Sequence, residues 1–244
     1  MGSDGPHPAQ LPRGDRPGGE RLAVTLVLVR HAQSRGNAAG TVQGWRDEPL
    51  TALGRRQASA LAERLSLRRP PITALYSSTL ARARETAAPL ARAIGVEVVA
   101  EPDLREYGYG AAEGLRWAEV EERLGVGRAR WRGGTLPGEE GPEAFGRRVL
   151  RRVGELAGRH RGDHAAAVTH GGVIGAVLAH ALGVANDAWP RLYLPNCSVA
   201  VLGGAPDGYE LLSLNDDGDL SALIASAGAR GGRRSARETR GAPR

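Results

Sequence analysis

A run of residues that is apolar except for one threonine, and that is followed by a basic pair, is the feature that most constrains the fold of this chain. Residues 22–29 read LAVTLVLV and are followed directly by Arg30 and His31. A run of this length, rich in β-branched residues and without polar alternation, is typical of a strand buried on both faces of a sheet. Such a strand needs helices above and below it, so the run predicts an α/β fold.

The rest of the chain alternates strand-like runs with helical patterns, which favours a parallel or mixed sheet covered by helices. We expect Thr51 to cap a helix that runs to about Leu65, and residues 77–79 to cap a helix that ends at Gly95. Residues 101–141 have no clear period and are interpreted as an irregular lid over the sheet. The remaining predictions are strands near 75–76, 96–100, 165–169, 198–202 and 209–214, and helices over 142–159 and 171–182.

The basic residues restrict how a phosphate could be held. All 33 of them are arginine, because the sequence contains no lysine, and this excludes Walker-type phosphate loops and Schiff-base chemistry. The formal net charge of +6 comes almost entirely from residues 221–244, where six arginines accompany a single glutamate. The body of the chain is nearly neutral, so we expect no nucleic-acid partner.

Composition also predicts the domain boundaries and the cellular compartment. Residues 1–20 and 221–244 are poor in apolar residues and are predicted to be disordered, which leaves one domain over residues 21–220. No apolar run is long enough to span a membrane, and the first twenty residues lack the apolar core of a secretory signal. Cys197 is the single cysteine and fits a reducing compartment. We therefore expect a cytoplasmic protein with no membrane partner.

A histidine follows a predicted strand twice, at His31 and at His170. Ligands of open α/β sheets bind beyond the carboxyl ends of the strands, so the two imidazoles could meet in one site. Either histidine alone could equally be a strand-end residue without a role. Donor side chains surround His31, and Arg82 stands in the first turn of a predicted helix, where an added cation is unfavourable unless an anion binds. The pattern therefore indicates an anion site.

Six sequence blocks make this interpretation more specific. In order, they are RHAQSRGN, QGWRDEPLTALGRRQA, SSTLARARETA, LREYGYGAAEG, VTHGG and NCSV. Together they resemble the histidine phosphatase superfamily, also called phosphoglycerate mutase-like, and in particular its small phosphatase-type branch. The resemblance covers about residues 22–216. It implies an α/β three-layer sandwich in which a mostly parallel central sheet has helices on both faces.

The resemblance also implies a role for five residues. His31 matches the nucleophile that becomes a phosphohistidine, and Glu106 matches the proton donor to the leaving group. Arg30, Arg82 and His170 would neutralise the oxygens of the transferring phosphoryl group. Neither a metal nor a cofactor is implied.

Five further positions are expected to bind the substrate. Asn37 would add a side-chain donor, Gln43 and Gly44 would approach the same pocket, and Gly171 would let the backbone come close to the ligand. Ser34 belongs to the donor group that follows His31. The four aromatic residues of the lid are expected mainly to form its core, with one or two lining the pocket: Tyr107, Tyr109, Trp117 and Trp131.

The sequence departs from the family pattern at three positions. Ala32 stands where glycine often follows the nucleophile, Ala112 where an aromatic residue often precedes Glu113, and Glu140 where a serine often follows the preceding glutamate. The last two belong to the region expected to hold the leaving group. They therefore bear on which substrate is used more than on whether catalysis occurs.

The resulting hypothesis is a metal-independent phosphomonoesterase that hydrolyses a small phosphorylated metabolite through a phosphohistidine on His31. One alternative is a phosphoglycerate-type mutase, which would protect the phosphoenzyme from water and pass the phosphoryl group to a second hydroxyl. A second alternative is a non-catalytic protein that binds phosphorylated ligands, although binding alone would not need Glu106. A homodimer is possible, because dimers are the commonest oligomers of soluble proteins.

Overall fold

The structure is a computed structural model that describes residues 25–184, 194–205 and 208–215. The disordered ends predicted at residues 1–20 and 221–244 lie outside these ranges, as do residues 22–24 of the first predicted strand. The strands are β1 (Thr25–Arg30), β2 (Ala74–Ser78), β3 (Val98–Glu101), β4 (His164–Thr169), β5 (Val199–Ala205) and β6 (Gly208–Leu214). The α-helices are α1 (Arg35–Ala39), α2 (Ala52–Ser66), α3 (Ala81–Ile94), α4 (Trp117–Leu124), α5 (Pro142–Arg159) and α6 (Gly171–Ala181).

The six strands form one mixed sheet in the order β3-β2-β4-β1-β5-β6. Strands β3, β2, β4 and β1 are parallel, whereas β5 pairs antiparallel with β1 and β6 pairs antiparallel with β5. The predicted mostly parallel sheet is therefore confirmed. The carboxyl ends of β1, β2 and β4 lie together in the middle of the sheet, which is where ligands of such sheets bind.

The two faces of the sheet are covered by different helices, so the predicted three-layer sandwich is confirmed. Successive side chains of a strand point to opposite faces, and β1 shows this clearly. Leu26 and Leu28 belong to a buried cluster with α5 and α6, whereas Val27 and Val29 belong to a second cluster with α2 and α3. Burial on both faces explains why the run is apolar without alternation.

Local signals fix two of the helix ends as predicted. The Thr51 hydroxyl accepts a hydrogen bond from Gly54 N at 2.9 Å and begins α2. Gly95 ends α3 with a φ of 72°, a left-handed conformation that glycine adopts without a steric cost.

The predicted cap of α3 is wrong. Ser77 and Ser78 belong to β2, and the residue that begins the helix is Leu80, whose side chain makes no capping hydrogen bond. The Ser78 hydroxyl does accept from Leu80 N, at 3.3 Å. Both serines are fully buried at the carboxyl end of the strand.

The predicted irregular lid contains more regular structure than its sequence indicates. Two 3₁₀ turns occur at Pro102–Leu104 and Gly110–Ala112, and α4 occupies Trp117–Leu124. A helix this short buries one fully enclosed residue, Val120, and therefore gives little periodic signal. Within the described residues, no helix has the length and apolar character that crossing a membrane requires.

Leu61 and Leu67 provide a matched test of the packing between the sheet and α2. Leu61 is buried, and the Leu61→Ala variant should lower the free energy of unfolding by about 2–5 kcal/mol, because a cavity remains. Leu67, at the end of the same helix, is 71% exposed, and Leu67→Ala should change it by less than about 0.5 kcal/mol. Urea denaturation of both variants measures the difference, and equal losses would contradict the assigned packing.

Candidate active site

Parallel pairing of β1 with β4 brings the two strand-end histidines together. The register pairs Arg30 with Thr169, the last residues of the two strands, and His31 N donates to Thr169 O at 2.9 Å. His31 and His170 directly follow these two strands, and their ring centroids lie 5.1 Å apart in an edge-to-face arrangement. Both side chains are buried.

A hydrogen bond to the main chain defines the tautomer of His31. Its Nδ1 lies 2.7 Å from Ala32 O, and a carbonyl oxygen can only accept, so Nδ1 carries the ring proton. Ala32 is itself held by a 3.0 Å hydrogen bond from its N to Thr86 Oγ1 on α3. The other ring nitrogen, Nε2, is therefore the one with a free lone pair. That atom has the free lone pair that nucleophilic attack requires.

The surroundings of His31 keep its imidazole neutral. Burial lowers its pKa well below the usual 6.5, and the positive charges of Arg82 and Arg30 lower it further. The hydrogen bond to Ala32 acts in the opposite direction and is outweighed. A neutral imidazole with an unprotonated Nε2 is the reactive form for nucleophilic attack.

His170 is also held neutral, with one ring nitrogen fixed by Ser78. Burial lowers its pKa well below 6.5, and Arg82 and His31 add to the effect. Its Nε2 lies 2.8 Å from Ser78 Oγ, and among the described residues its Nδ1 has no hydrogen-bond partner. Because Ser78 Oγ already accepts from Leu80 N, its hydroxyl hydrogen can be donated to Nε2. Nδ1 then carries the proton.

Arg82 is almost fully enclosed and fixes the loop that follows α1. Its Nη2 donates to Gly44 O at 2.7 Å and its Nη1 to Arg46 O at 2.9 Å. Gly44 has a φ of 50°, and a Cβ at this position would lie 2.0 Å from Glu113 Oε1. Glycine is therefore required where the loop passes between the guanidinium and this carboxylate. The second arginine of the α3 first turn, Arg84, is exposed.

Glu106 lies in the lid and is fixed through both its carboxylate and its main chain. Oε1 accepts from Tyr107 N at 2.9 Å, and Oε2 accepts from Gly172 N, in the first turn of α6, at 3.2 Å. Trp45 Nε1 donates to the main-chain carbonyl of Glu106 at 2.8 Å. The acid is thus anchored to the same helix that begins after His170.

Asn37 is oriented by a small polar network. Its Oδ1 accepts from Ser34 N at 3.1 Å and from Asn196 Nδ2 at 3.2 Å. The Ser34 hydroxyl caps α1 and donates to Gln43 Oε1 at 2.6 Å. Since Oδ1 is occupied, the Nδ2 amide of Asn37 is the group left to donate to a ligand.

A cavity of about 160 Å³ unites most of these groups. Its lining contains two arginines and one carboxylate, so it favours an anion. The lining residues are Arg30, His31, Asn37, Thr41, Val42, Gln43, Gly44, Arg82, Glu106, Tyr109 and Trp117.

Three of the predicted site residues lie beside the cavity instead of in its wall. Ser34 is buried and acts through Asn37 and Gln43, His170 packs edge-on against His31, and Gly171 lies against the Arg30 side chain. Arg30 itself lines the cavity, and its guanidinium donates to Leu194 O.

The sequence predicts only some of the residues that line the outer part of the cavity. Tyr109 and Trp117 line it, whereas Tyr107 and Trp131 are buried in the lid core as expected. Thr41 and Val42 complete this wall and carry no sequence signal of their own. The sequence predicts Ser78 only as a helix cap, whereas its hydroxyl also binds His170. Within the described residues, no group of three His, Cys, Asp or Glu side chains is arranged to hold a metal.

The lowered histidine pKa values predict how stability depends on pH. The unfolded chain has histidines of ordinary pKa near 6.5 and binds more protons than the folded protein below that pH. The free energy of unfolding should therefore fall as the pH drops from about 7 to 5, by up to roughly 1.4 kcal/mol per pH unit for each buried histidine. Urea denaturation across this range measures it.

The control is the double variant His31→Gln, His170→Gln. It removes both groups and should lose their share of the pH dependence. An unchanged slope in the double variant would contradict the assignment.

Comparison with known proteins supports one family. The family model described as "Histidine phosphatase superfamily (branch 1)" matches residues 26–217. The "Metal-independent phosphoserine phosphatase" of Arabidopsis thaliana is 37% identical over 212 residues, which cover 84% of this chain and 86% of the relative. The "Probable phosphoglycerate mutase GpmB" of Yersinia enterocolitica is 35% identical over 185 residues, covering 72% of this chain and 83% of the relative.

Solved structures agree with this comparison. The native structure of the mycobacterial glucosyl-3-phosphoglycerate phosphatase has a TM-score of 0.71 and 31% identity, and the match covers 78% of this chain and 98% of the neighbour. A Bacillus stearothermophilus structure reaches a TM-score of 0.72 at 28% identity, covering 78% of this chain and 96% of the neighbour. The matches therefore extend over nearly the full length of the neighbouring proteins.

Proposed function

Since this chain belongs to the histidine phosphatase superfamily and is a histidine-type phosphatase, we propose that it hydrolyses a small phosphorylated metabolite, without a metal, through a phosphohistidine on His31. The observation that carries the proposal is the state of that imidazole. It is buried and bonded through Nδ1 to Ala32 O, burial and the charges of Arg82 and Arg30 lower its pKa, and it lines a cavity that also contains these two arginines. A group of this kind is suited to attack phosphorus.

In the first step, the Nε2 lone pair of His31 forms a bond to phosphorus while the bond from phosphorus to the ester oxygen breaks. Arg30 and Arg82, which line the cavity, and His170, which lies beside it, stabilise the negative charge on the transferring group. Asn37 Nδ2 adds a further donor. The protein contributes mainly position and charge here, because phosphoryl transfer requires little other covalent chemistry from it.

Glu106 supplies the proton that the leaving oxygen needs. Its carboxyl group protonates the departing alkoxide, and the resulting carboxylate then takes a proton from the water that attacks phosphohistidine. The bond from phosphorus to Nε2 breaks in this second step, and inorganic phosphate leaves. Glu106 returns to its protonated form, so the cycle is balanced.

A mutase remains the second candidate because the Yersinia relative carries a phosphoglycerate mutase name. The two reactions differ in what accepts the phosphoryl group from His31. A phosphoenzyme that decays in water within one turnover indicates a phosphatase. A phosphoenzyme that persists in water and is discharged by a second hydroxyl compound indicates a mutase.

Hydrolysis of an aryl phosphate in excess chelator tests the proposal. The wild type should turn over and carry acid-labile phosphate during turnover. The His31→Ala variant should lose at least about 10⁴-fold in rate, since it lacks the nucleophile. Turnover by His31→Ala at the wild-type rate, or inhibition by the chelator that added metal reverses, would contradict the proposal.

Two arginines on α3 provide a matched control for that experiment. Arg82→Met should lower kcat/KM by about 10²- to 10³-fold, because it removes a charge beside the phosphoryl group. Arg84→Met, two residues away on the exposed side of the helix, should stay within about twofold of the wild type. Equal losses in the two variants would indicate a general effect of charge and not a phosphate contact.

A further inference from the structure

Arg148 projects from α5 and binds the main chain of the lid where it carries Glu106. Its Nη1 donates to Asp103 O at 2.7 Å and to Arg105 O at 3.0 Å, and its Nη2 donates to Glu106 O at 3.3 Å. These carbonyls belong to the turn that leads into the acid. One guanidinium therefore binds three main-chain carbonyls of this segment, although it belongs to a helix more than forty residues away in sequence.

The same guanidinium forms an ion pair with Glu140. Nε donates to Oε1 at 2.7 Å and Nη2 to Oε2 at 2.8 Å, and the two side chains are only 15% and 11% exposed. Glu140 N donates to Gly108 O at 2.8 Å, and Gly108 N donates to Glu140 Oε2 at 3.3 Å. The Arg148–Glu140 pair is thus bound to the lid on both sides of Glu106.

This arrangement depends on the shape of the guanidinium. A planar fork with five N–H donors can serve a carboxylate and several carbonyls at once, whereas a lysine ammonium cannot match that geometry. Glu140 is also a position at which the sequence departs from the family pattern. A serine there could not form the ion pair.

We propose that Arg148 and Glu140 are positioning residues that hold the Glu106 carboxyl group where it can protonate the leaving oxygen. This inference rests on the proposed function, in which Glu106 is the proton donor. A general acid must stay within hydrogen-bond reach of the atom it protonates, and a displacement of about 1 Å can cost about 100-fold in rate. The pair acts through the main chain on both sides of Glu106.

Two substrates that differ in their leaving group separate this role from a purely structural one. The leaving group of an aryl phosphate is a stable phenolate, which needs little help from an acid. The leaving group of an alkyl phosphate is a strongly basic alkoxide, which must be protonated. Arg148→Met and Glu140→Gln should therefore lower kcat/KM for the alkyl ester by about 10- to 100-fold and lower the ratio of alkyl to aryl kcat/KM by at least about fivefold, because kcat/KM reports the step in which the leaving group departs. The Kd of inorganic phosphate should change little, since the pair does not line the cavity.

Arg151→Met is the matched control. Arg151 lies one turn further along α5 and binds the Asp103 side chain at 2.7 Å, but it is 64% exposed and makes no contact with Glu106 among those described. Its substitution should leave the ratio within about twofold of the wild type. Arg148→Lys keeps the charge without the fork and should retain most of the defect.

Folding is checked by the thermal midpoint of each variant. Because a single substitution leaves one partner of an enclosed ion pair without its counterpart, the double variant Arg148→Met, Glu140→Gln is measured as well. It removes both charges and should keep the selective loss on the alkyl ester while recovering stability.

A cycle with Glu106→Gln tests whether the pair acts through the acid. In the Glu106→Gln background, Arg148→Met should have no further effect on the alkyl ester beyond about twofold. Equal losses of kcat/KM on aryl and alkyl esters, or an undiminished effect in the Glu106→Gln background, would overturn the positioning role. A wild type that hydrolyses neither ester would instead overturn the proposed function, and with it the role of the pair.

Discussion

The pairing of β1 with β4 is the contact on which the rest of the site depends. Two parallel strands in register end at Arg30 and Thr169, so His31 and His170 leave the sheet side by side. A shift of one residue would turn the side chains of one strand to the opposite face and move one imidazole away from the other. Such a shift would place valines where Leu26 and Leu28 now pack, and leucines where Val27 and Val29 pack, and close packing of the two buried clusters opposes that exchange. Core packing and catalytic geometry thus have the same origin.

Burial and charge then define the chemistry of the paired histidines. Both imidazoles are enclosed near Arg30 and Arg82, and this lowers their pKa values and keeps Nε2 of His31 free of a proton. The same two arginines make the cavity attractive to a phosphate dianion. In the proposed mechanism, one arrangement of charge therefore activates the nucleophile and binds its target. In the proposed mechanism, Glu106 on the lid supplies the proton that neither arginine can give.

The sequence was sufficient to predict the elements with strong local signals. Strand-end histidines, the apolar strand and the Thr51 cap are all encoded within a few residues, and the structure contains each of them. The lid was harder, because α4 is short and its turns are fixed by distant groups. Arg148 binds the carbonyls of Arg105 and Glu106, which are more than forty residues away in sequence, and no local sequence pattern predicts such a contact. Ser78 resembled a helix cap, although its hydroxyl also binds His170.

The central claim is that Nε2 of His31 forms the bond to phosphorus. The most direct measurement is to stop the reaction in alkaline denaturant and to identify the phosphorylated peptide by mass spectrometry. Phosphorus NMR of the phosphorylated protein then identifies the modified nitrogen. Because Nδ1 is committed to Ala32 O, phosphorus should be found on Nε2 of His31 and on no other atom. Phosphorus on Nδ1, on His170 or on a carboxylate would contradict the account, as would steady release of phosphate without any phosphohistidine.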